Sequence, residues 1–549
     1  MTGSTIKEKF PAAFPKLSPL QMAEVAKVAA CRTYNNGDTL LKAGDTTFKF
    51  HVIQRGEIDI YDRTGDETKL LVTHEALEFT GDIANLAGRA SNVDAIAKGT
   101  VEVYEICSQE LRIIIGQRPD LSDTILSAFI ERSRVLSESD FTGVRVIGSR
   151  FSQDTFRIRD FLSKNRVLFT WMDVENDPHV DDLLQRFHVQ VSDTPIVAYA
   201  NEWLLRNPSN MQLAQRIGIK HEFKEDLYDL VIAGGGPAGL AAAVYGASEG
   251  LKTMVLEMIA PGGQAGTSSR IENYLGFPRG VSGSELASRA SLQAEKFGAR
   301  LNVPSKVTGL SFENKHNVIT LDTGEKISSK TLIIASGAEY RKLDLKNLEK
   351  YEGRGIYYAA TKMEATICRG EAVAVVGGGN SAGQAAVFLS SNVSKVFLIV
   401  RGQNLSLTMS KYLEQRITEC TEIELLLNTE IKEIKGDEQV EAIDIINNKT
   451  KEEKKLSVGA LFSFIGAIPR TEWLPEEIET DEKGFIKTGL NAGKSSYWSN
   501  SRQPLFLETT RAGVFAAGDV RSNSVKRVSS AVGEGSMAVQ FVHEYLKDL

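Results

Sequence analysis

A chain of 549 residues is too long for one hydrophobic core and must divide into several domains. With 42% hydrophobic and 25% charged residues and 46 glycines, its composition excludes a disordered or fibrous class and suits a globular protein rich in tight turns. A net charge of −7 gives no electrostatic case for nucleic acid or an anionic membrane as partner, and no apolar run approaches the roughly 20 residues that span a bilayer.

The N-terminus has no secretory apolar core, so the expected compartment is the cytoplasm. Cys31, Cys107, Cys368 and Cys420 are scattered without a CxxC pair or a metal-ligand spacing. The expectation is packed thiols in a reducing compartment and no metal site.

In chain order, a helical stretch (Pro19 to Ala30) precedes short apolar runs punctuated by Asn36-Gly37-Asp38, Ala43-Gly44-Asp45, Arg55-Gly56-Glu57 and Thr64-Gly65-Asp66. That punctuation predicts consecutive hairpins, a β-roll or barrel, closed by a helical tail from Ser108 to Leu136. The order resembles cyclic-nucleotide-binding domains. The resemblance places the phosphate cassette of that family on Gly81 to Ser91, with Asp82 where the family has Glu and Ser91 where it has Arg. Losing a guanidinium that pairs a phosphate bidentately removes the strongest contact available, and Arg89 stands at a different offset. Cyclic-nucleotide binding is therefore doubtful, and a docking or dimerisation module is the favoured reading.

Residues 142–222 alternate strand and helix: Val144 to Ile147, then Ser152 to Asn165, Leu168 to Val174 and Val180 to Phe187. Thr194-Pro195-Ile196-Val197 opens an apolar strand with a proline, which suggests a cis bond. This resembles thioredoxin or glutaredoxin modules. At the place of their dithiol the chain reads Ser149-Arg150-Phe151-Ser152, and a hydroxyl cannot exchange disulfides. A groove beside Pro195 for a peptide or for packing on the rest of the chain, and a plain structural spacer, both remain open.

From Tyr228 the pattern sharpens. An apolar strand (Leu230 to Ile232) runs into Gly234-x-Gly236-Pro237-Ala238-Gly239, an Ala-rich helix follows, and a second strand (Met254 to Leu256) ends on Glu257, 23 residues beyond Gly234. Gly234 allows the tight turn, Gly236 lets a pyrophosphate approach bare backbone, and Gly239 lets helix and strand pack. The helix N-terminus faces the phosphates, and Glu257 has the spacing of a carboxylate that bonds a ribose hydroxyl.

A second fingerprint, Gly377-Gly378-Gly379-Asn380-Ser381-Ala382, follows Val373 to Val376, so two dinucleotides are implied. Its second strand (Lys395 to Val400) ends on the cation Arg401 rather than an acid, which favours NADPH, with NADH the weaker alternative.

Pro261-Gly262-Gly263-Gln264-Ala265-Gly266, Ile271-Glu272-Asn273-Tyr274, Ile333 to Ala338 and Gly513 to Val520 complete a pattern along residues 225–549 that resembles the low-molecular-weight thioredoxin reductases. The resemblance implies FAD against Gly263, Gln264 and Asn273, adenine at Val307, a closing segment at Gly337, the ribityl chain at Gly518 and Asp519, and the flavin edge at Arg527 and Val528. It also implies a homodimer and a nucleotide domain that rotates between two postures. Those reductases carry Cys-Ala-Thr-Cys before the second fingerprint. Here Ala359 and Lys362 stand at the sulfur positions, and Cys368 lies alone six residues later.

The fold expected is multidomain: a β-roll with helices (1–138), a thioredoxin-like α/β domain without its dithiol (142–222), a Rossmann-like FAD domain (225–343 and 471–549), and an inserted Rossmann-like NAD(P)H domain (344–470). The function expected is hydride transfer from NADPH to FAD and on to an unidentified acceptor without an internal disulfide. The alternative is a flavin-based redox sensor or scaffold with little turnover. No membrane or nucleic-acid partner is expected.

Overall fold

Strands β3 (Phe50–Asp62) and β5 (Asp94–Ile106), each 13 residues, pair antiparallel from Phe50↔Ile106 to Tyr61↔Asp94. Around them the sheet runs β1 (Ala30–Tyr34), β5, β3, β4 (Lys69–His74), with β2 (Thr39–Leu41) also on β5. The computed structural model describes residues 3–549 except 46–48, 63–67, 83–90, 92, 139–142, 178–179, 181–183, 186–188, 200–202, 224–226 and 499–500. Arg89 and most of the cassette segment therefore lie outside the described residues. Ser91 is committed to its own turn: its hydroxyl donates to the Val93 carbonyl, and its N–H donates to the Asp45 carbonyl.

Two short helices, α1 (Gly3–Lys9) and α2 (Pro19–Ala26), precede the sheet. The tail expected as one helix is two, α3 (Ser108–Gln117) and α4 (Pro119–Glu138). Pro119 lacks an N–H and drives Arg118 to an extended φ of −121° and ψ of 94°, so the first helix stops and Pro119 opens the second. On α4, Arg132 donates to the carbonyls of Ala13, Phe79 and Gly81, stacked over the Phe79 ring at 4.7 Å.

In the next unit β6 (Val144–Ile147) lies beside a parallel β7 (Phe169–Met172) and an antiparallel β8 (Ile196–Tyr199), which pairs with β9 (Trp203–Arg206). The parallel pair needs a crossover, and α5 (Gln153–Lys164) supplies it. Ser152 caps α5 by accepting from the Thr155 N–H, and Ile158, Phe161 and Leu162 are buried on the sheet side. A second helix, α6 (Asn210–Ile217), follows β9. The Thr194–Pro195 peptide is cis, as the sequence predicts. The helix expected over Val180 to Phe187 falls largely outside the described residues.

The third unit has a parallel core of β12 (Arg300–Asn302), β11 (Thr253–Leu256), β10 (Tyr228–Ala233) and β15 (Lys326–Ile334). The far edge of β15 is shared: its first half pairs antiparallel with β14 (His316–Leu321), which carries β13 (Val307–Glu313), and its last three residues pair parallel with β26 (Val514–Ala516). Strand β26 returns from near the end of the chain to complete this sheet. Helices α7 (Pro237–Ser248), α8 (Gly283–Lys296) and α12 (Val528–Lys547) pack around it. Where α7 meets α12, a Cβ on Gly535 would lie 2.1 Å from the Ala238 carbonyl oxygen, so only glycine allows the approach.

The chain leaves through β16 (Ala338–Tyr340) and returns through β25 (Ala467–Pro469), which pair antiparallel. Between them lies a five-stranded parallel sheet in the order β17 (Ile356–Tyr357), β24 (Ala460–Ser463), β18 (Ala372–Val376), β19 (Lys395–Val400), β20 (Ile423–Leu427). An antiparallel meander, β21 (Thr429–Lys435), β22 (Ala442–Asn447) and β23 (Glu453–Ser457), covers part of it. Helices α9 (Lys362–Ile367), α10 (Asn380–Ser390) and α11 (Lys411–Glu419) belong to this unit.

Candidate functional site

The turn after β10 is shaped by two close approaches and one open face. Gly234 has φ of +113° and a Cβ there would lie 2.3 Å from the Ala335 oxygen; a Cβ on Gly239 would lie 1.9 Å from the Gly234 oxygen. Gly236, the N-cap of α7 with Pro237 behind it, meets nothing within 4 Å in its Cβ direction. That bare backbone, with Pro237 and Ala238, borders a cleft of about 1840 Å³. A helix N-terminus with unpaired N–H groups facing such a space is suited to a diphosphate. The Glu257 carboxylate braces the turn, accepting N–H groups from Gly235 at 2.6 Å, Ile259 at 2.9 Å and Ala260 at 3.3 Å, and it borders the cleft.

Gly263, Gln264, Asn273 and Gly337 line the same cleft. The Gln264 amide nitrogen donates to the Ala338 carbonyl at 2.5 Å, which ties the Gly262–Gly266 turn to the start of β16. Gly518, Asp519, Arg527 and Val528 form another wall. The Gly518 N–H donates to Glu534 at 2.7 Å, and Glu534 also holds Arg521, so the turn carrying Asp519 is fixed from α12. The Asp519 carboxylate has no hydrogen-bond partner among the described residues, and burial pushes its pKa up. Lys526 sends its ammonium to the Asp519 backbone carbonyl, and burial lowers its pKa. Val307 opens β13, pairs with Leu321 and packs on the cluster around Leu310, two residues beyond Ser305, whose N–H donates to the Glu257 carbonyl at 2.7 Å.

The second fingerprint repeats the geometry at the end of β18. Gly377 has φ of +141° and a Cβ there would lie 2.5 Å from the Phe464 oxygen; Ala382 is fully buried where α10 meets the strand. Gly379 caps α10, whose first residues, Asn380 and Ser381, reach the shared cleft. Asn380 accepts from the Ser410 N–H and Thr408 donates to the Gly378 carbonyl, both at 2.7 Å. Arg401 projects from the end of β19, strongly exposed, with Nε 3.8 Å from Glu430 on β21.

Ala359, Thr361, Met363 and Glu364 also line the cleft. The side chain of Lys362 lies outside the described residues. Glu364 accepts from the Thr361 N–H at 2.8 Å and from its hydroxyl, closing the first turn of α9, and burial pushes its pKa up. Cys368 is buried beneath α9 with its thiol pKa pushed up to about 12 by desolvation and by Glu371 and Glu364, so it stays protonated and inert.

Three features had no sequence signal. One face of α5, including Gln153, Phe156, Asp160 and Lys164, lines the cleft. Glu534 organises the Gly518 turn. Arg416 on α11 pairs with Glu272 of the Ile271–Phe277 segment.

Two glycine turns, each opening a helix onto one cleft, with a half-buried carboxylate in its wall that has no hydrogen-bond partner among the described residues, fit two dinucleotides lying together. Residues 228–535, more than half of the chain, match the pyridine nucleotide-disulphide oxidoreductase family. The chain belongs to that family. Residues 31–118 match the cyclic nucleotide-binding domain.

Within the family, thioredoxin reductase of Bacillus subtilis is 31% identical over 330 residues, 59% of this chain and 97% of that protein. A 34.2 kDa protein in the rubredoxin operon of Clostridium pasteurianum is 33% identical over 324 residues, 59% of this chain and 98% of its own. A crystal structure of Lactococcus lactis thioredoxin reductase in its FR conformation is 31% identical, covering 59% of this chain and 100% of that one with a TM-score of 0.53. The chain is a flavin oxidoreductase of the thioredoxin reductase type, a family that uses FAD and NADPH, with a cyclic-nucleotide-binding domain at its N-terminal end. No helix among the described residues is long and apolar enough to cross a membrane.

Proposed function

We propose that this chain is an NADPH-dependent flavin oxidoreductase that delivers electrons directly from its flavin to an acceptor, with no disulfide relay of its own. The observation that carries this reading is the cleft wall at Ala359 to Glu364, which holds no sulfur nucleophile. Cys368, the nearest thiol in sequence, is buried and held protonated.

The Gly236 backbone and the α7 N-terminus would bind the FAD diphosphate, and Glu257 would meet a ribose hydroxyl while keeping the turn rigid. Asp519 would accept from the ribityl hydroxyls, with Gly518, Arg527 and Val528 beside them. Gly263, Gln264, Asn273 and Gly337 would orient the ring system. Gly377, Gly379, Asn380, Ser381 and Ala382 would receive NADPH, with Arg401 toward its 2′-phosphate. When bound, the flavin supplies a two-electron acceptor for the nicotinamide hydride. The protein's own task is to hold both cofactors in register and exclude competing water.

The unit of β6 to β9 with its cis proline supports a thioredoxin-like module without a dithiol, and the relatives support a homodimer. One observation favours a sensing role as a second reading. Leu111 and Ile114 of α3 pack with Leu292 of α8, and the first turn of α8 borders the cleft, which gives the N-terminal domain a packed route to the flavin site.

Steady-state NADPH oxidation with a panel of acceptors tests the proposal. Turnover with at least one acceptor and no thiol requirement is expected; slow turnover with all would favour the sensor.

A further inference from the structure

The N-terminal domain holds a cavity of about 80 Å³ between its β-roll, α4 and the N-terminal segment that carries Ile6 and Phe14. Together with those two, Leu41, Val72, Val93 and Leu136 give it an apolar wall. It lies where the resemblance puts a cyclic nucleotide, since Gly81, Asp82 and Ser91 border it, yet its chemistry does not suit a cyclic phosphate. The guanidinium in the described wall, Arg132, donates from Nε, Nη2 and Nη1 to the carbonyls of Ala13, Phe79 and Gly81 at 2.8, 3.0 and 2.6 Å, packed over the Phe14 and Phe79 rings at 5.6 and 4.7 Å. The Ser91 hydroxyl is engaged with the Val93 carbonyl, and the Asp82 carboxylate, in the same wall, repels an anion. Size excludes the nucleotide as well. A dry apolar cavity of roughly 150 Å³ takes up benzene, so one of about 80 Å³ suits a single small ring at most, and purine, sugar and cyclic phosphate together do not fit.

One polar group in the wall is left open. His74, at the end of β4, is only 3% exposed. Its Nδ1 lies 3.0 Å from Glu78, and Lys7 donates to both Glu78 oxygens at 2.8 and 2.9 Å, so Glu78 is a carboxylate that only accepts. Nδ1 therefore carries the proton, and burial, which lowers the His74 pKa to about 4, keeps the ring neutral. Nε2 remains as a buried acceptor with no hydrogen-bond partner among the described residues. Leaving such a group unpaired is costly, and a ligand hydroxyl would satisfy it.

We propose that this cavity binds a small uncharged phenol, its ring against the apolar wall and its hydroxyl donating to His74 Nε2. A phenolic hydroxyl, with a pKa of roughly 10, stays protonated at neutral pH and has the donor that Nε2 lacks. Benzene fills the same space and leaves Nε2 unpaired. An anion meets Asp82 while Arg132 is already engaged with three carbonyls. The site is remote from the flavin chemistry and does not depend on the proposed function.

Calorimetric titration of the full-length holoprotein with phenol, benzene and cyclic AMP tests the site. Phenol is expected to bind saturably, benzene about 3- to 10-fold more weakly for want of one hydrogen bond, and cyclic AMP neither to bind there nor to displace phenol. His74→Phe keeps an aromatic ring and removes the acceptor, so phenol should fall to the affinity of benzene while benzene holds its own. A second measurement needs no variant. Amide exchange of the parent holoprotein with and without phenol should show protection gained in residues 69–82 and 128–136 and none in 228–264. Phenol that fails to saturate, benzene that binds as tightly as phenol, displacement of phenol by cyclic AMP, or protection gained only in 228–264 would overturn the proposal.

Discussion

Arg416 and Glu272 join the two nucleotide-binding domains through a guanidinium nitrogen 3.0 Å from both carboxylate oxygens. Both side chains are partly exposed, at 47% and 29%, so the pair is screened and contributes at most about 1 kcal/mol. Arg416→Ala should leave the melting temperature within a degree or two of the parent, on the order of that energy. The rate of flavin reduction by NADPH should change severalfold at low salt, with the difference fading at high salt. A stopped-flow salt series reads this.

The packing of Gly239 against the Gly234 carbonyl makes a sharper demand. A methyl group 1.9 Å from that oxygen forces α7 off β10, an overpacking cost of about 2 kcal/mol or more. Gly239→Ala should purify colourless or lose flavin on dilution, whereas Gly250→Ala, where nothing lies within 4 Å but φ is +88°, should cost about 1 kcal/mol and keep its colour. Absorbance ratios at 450 and 280 nm compare them.

Asp519 presents a carboxylate to the cleft with no hydrogen-bond partner among the described residues. Replacing it with Asn keeps the shape and removes the charged acceptor, a loss of about 1.5–3 kcal/mol if it bonds the ribityl chain. The FAD dissociation constant of Asp519→Asn should rise about 10- to 100-fold, read by fluorescence titration of the apoprotein.

Thiol chemistry should be dispensable. Alkylation with iodoacetamide, or Cys368→Ser, should leave NADPH oxidation within a factor of about two, because a thiol held near pKa 12 is neither nucleophile nor relay at neutral pH. Adding thioredoxin should give no DTNB-coupled rate above the flavin-only background.

Acid should weaken the N-terminal domain. His51 and His74 are buried and held neutral, their pKa values lowered by burial from 6.5 to about 4 despite Glu105 and Glu78 beside them. Below pH 6.5 the unfolded chain binds protons that the folded chain refuses until about pH 4, so stability is lost as pH falls through that window. At pH 5 the loss is on the order of 1–2 kcal/mol per histidine. Calorimetry of the full chain at pH 7 and pH 5 should show this, with a smaller shift for His74→Gln.

Much of the site was legible because its glycines answer local steric demands that leave a spacing in the sequence. Gly234, Gly236 and Gly239 each do one thing, and Gly377 with Ala382 repeats the arrangement. The strands around them read correctly since fully buried parallel strands are continuous apolar runs. The break at Arg118–Pro119 shows in the sequence only as one proline inside a longer helical pattern, and its geometry decides that the helix stops there.

The role of α5 was not legible. Gln153, Asp160 and Lys164 on its outer face have the composition of a solvated surface, and only tertiary structure puts that face against the cleft. The same holds for Glu534, whose bond to the Gly518 N–H joins residues of two elements through space.

The most direct measurement is an anaerobic stopped-flow absorbance record of the purified protein mixed first with NADPH and then with an acceptor. A yellow protein whose 450 nm band bleaches with NADPH after all thiols have been blocked, and recovers on adding a small acceptor, is the predicted result. A protein that binds no FAD, or whose band persists in NADPH or bleaches only while its thiols are free, would contradict the account.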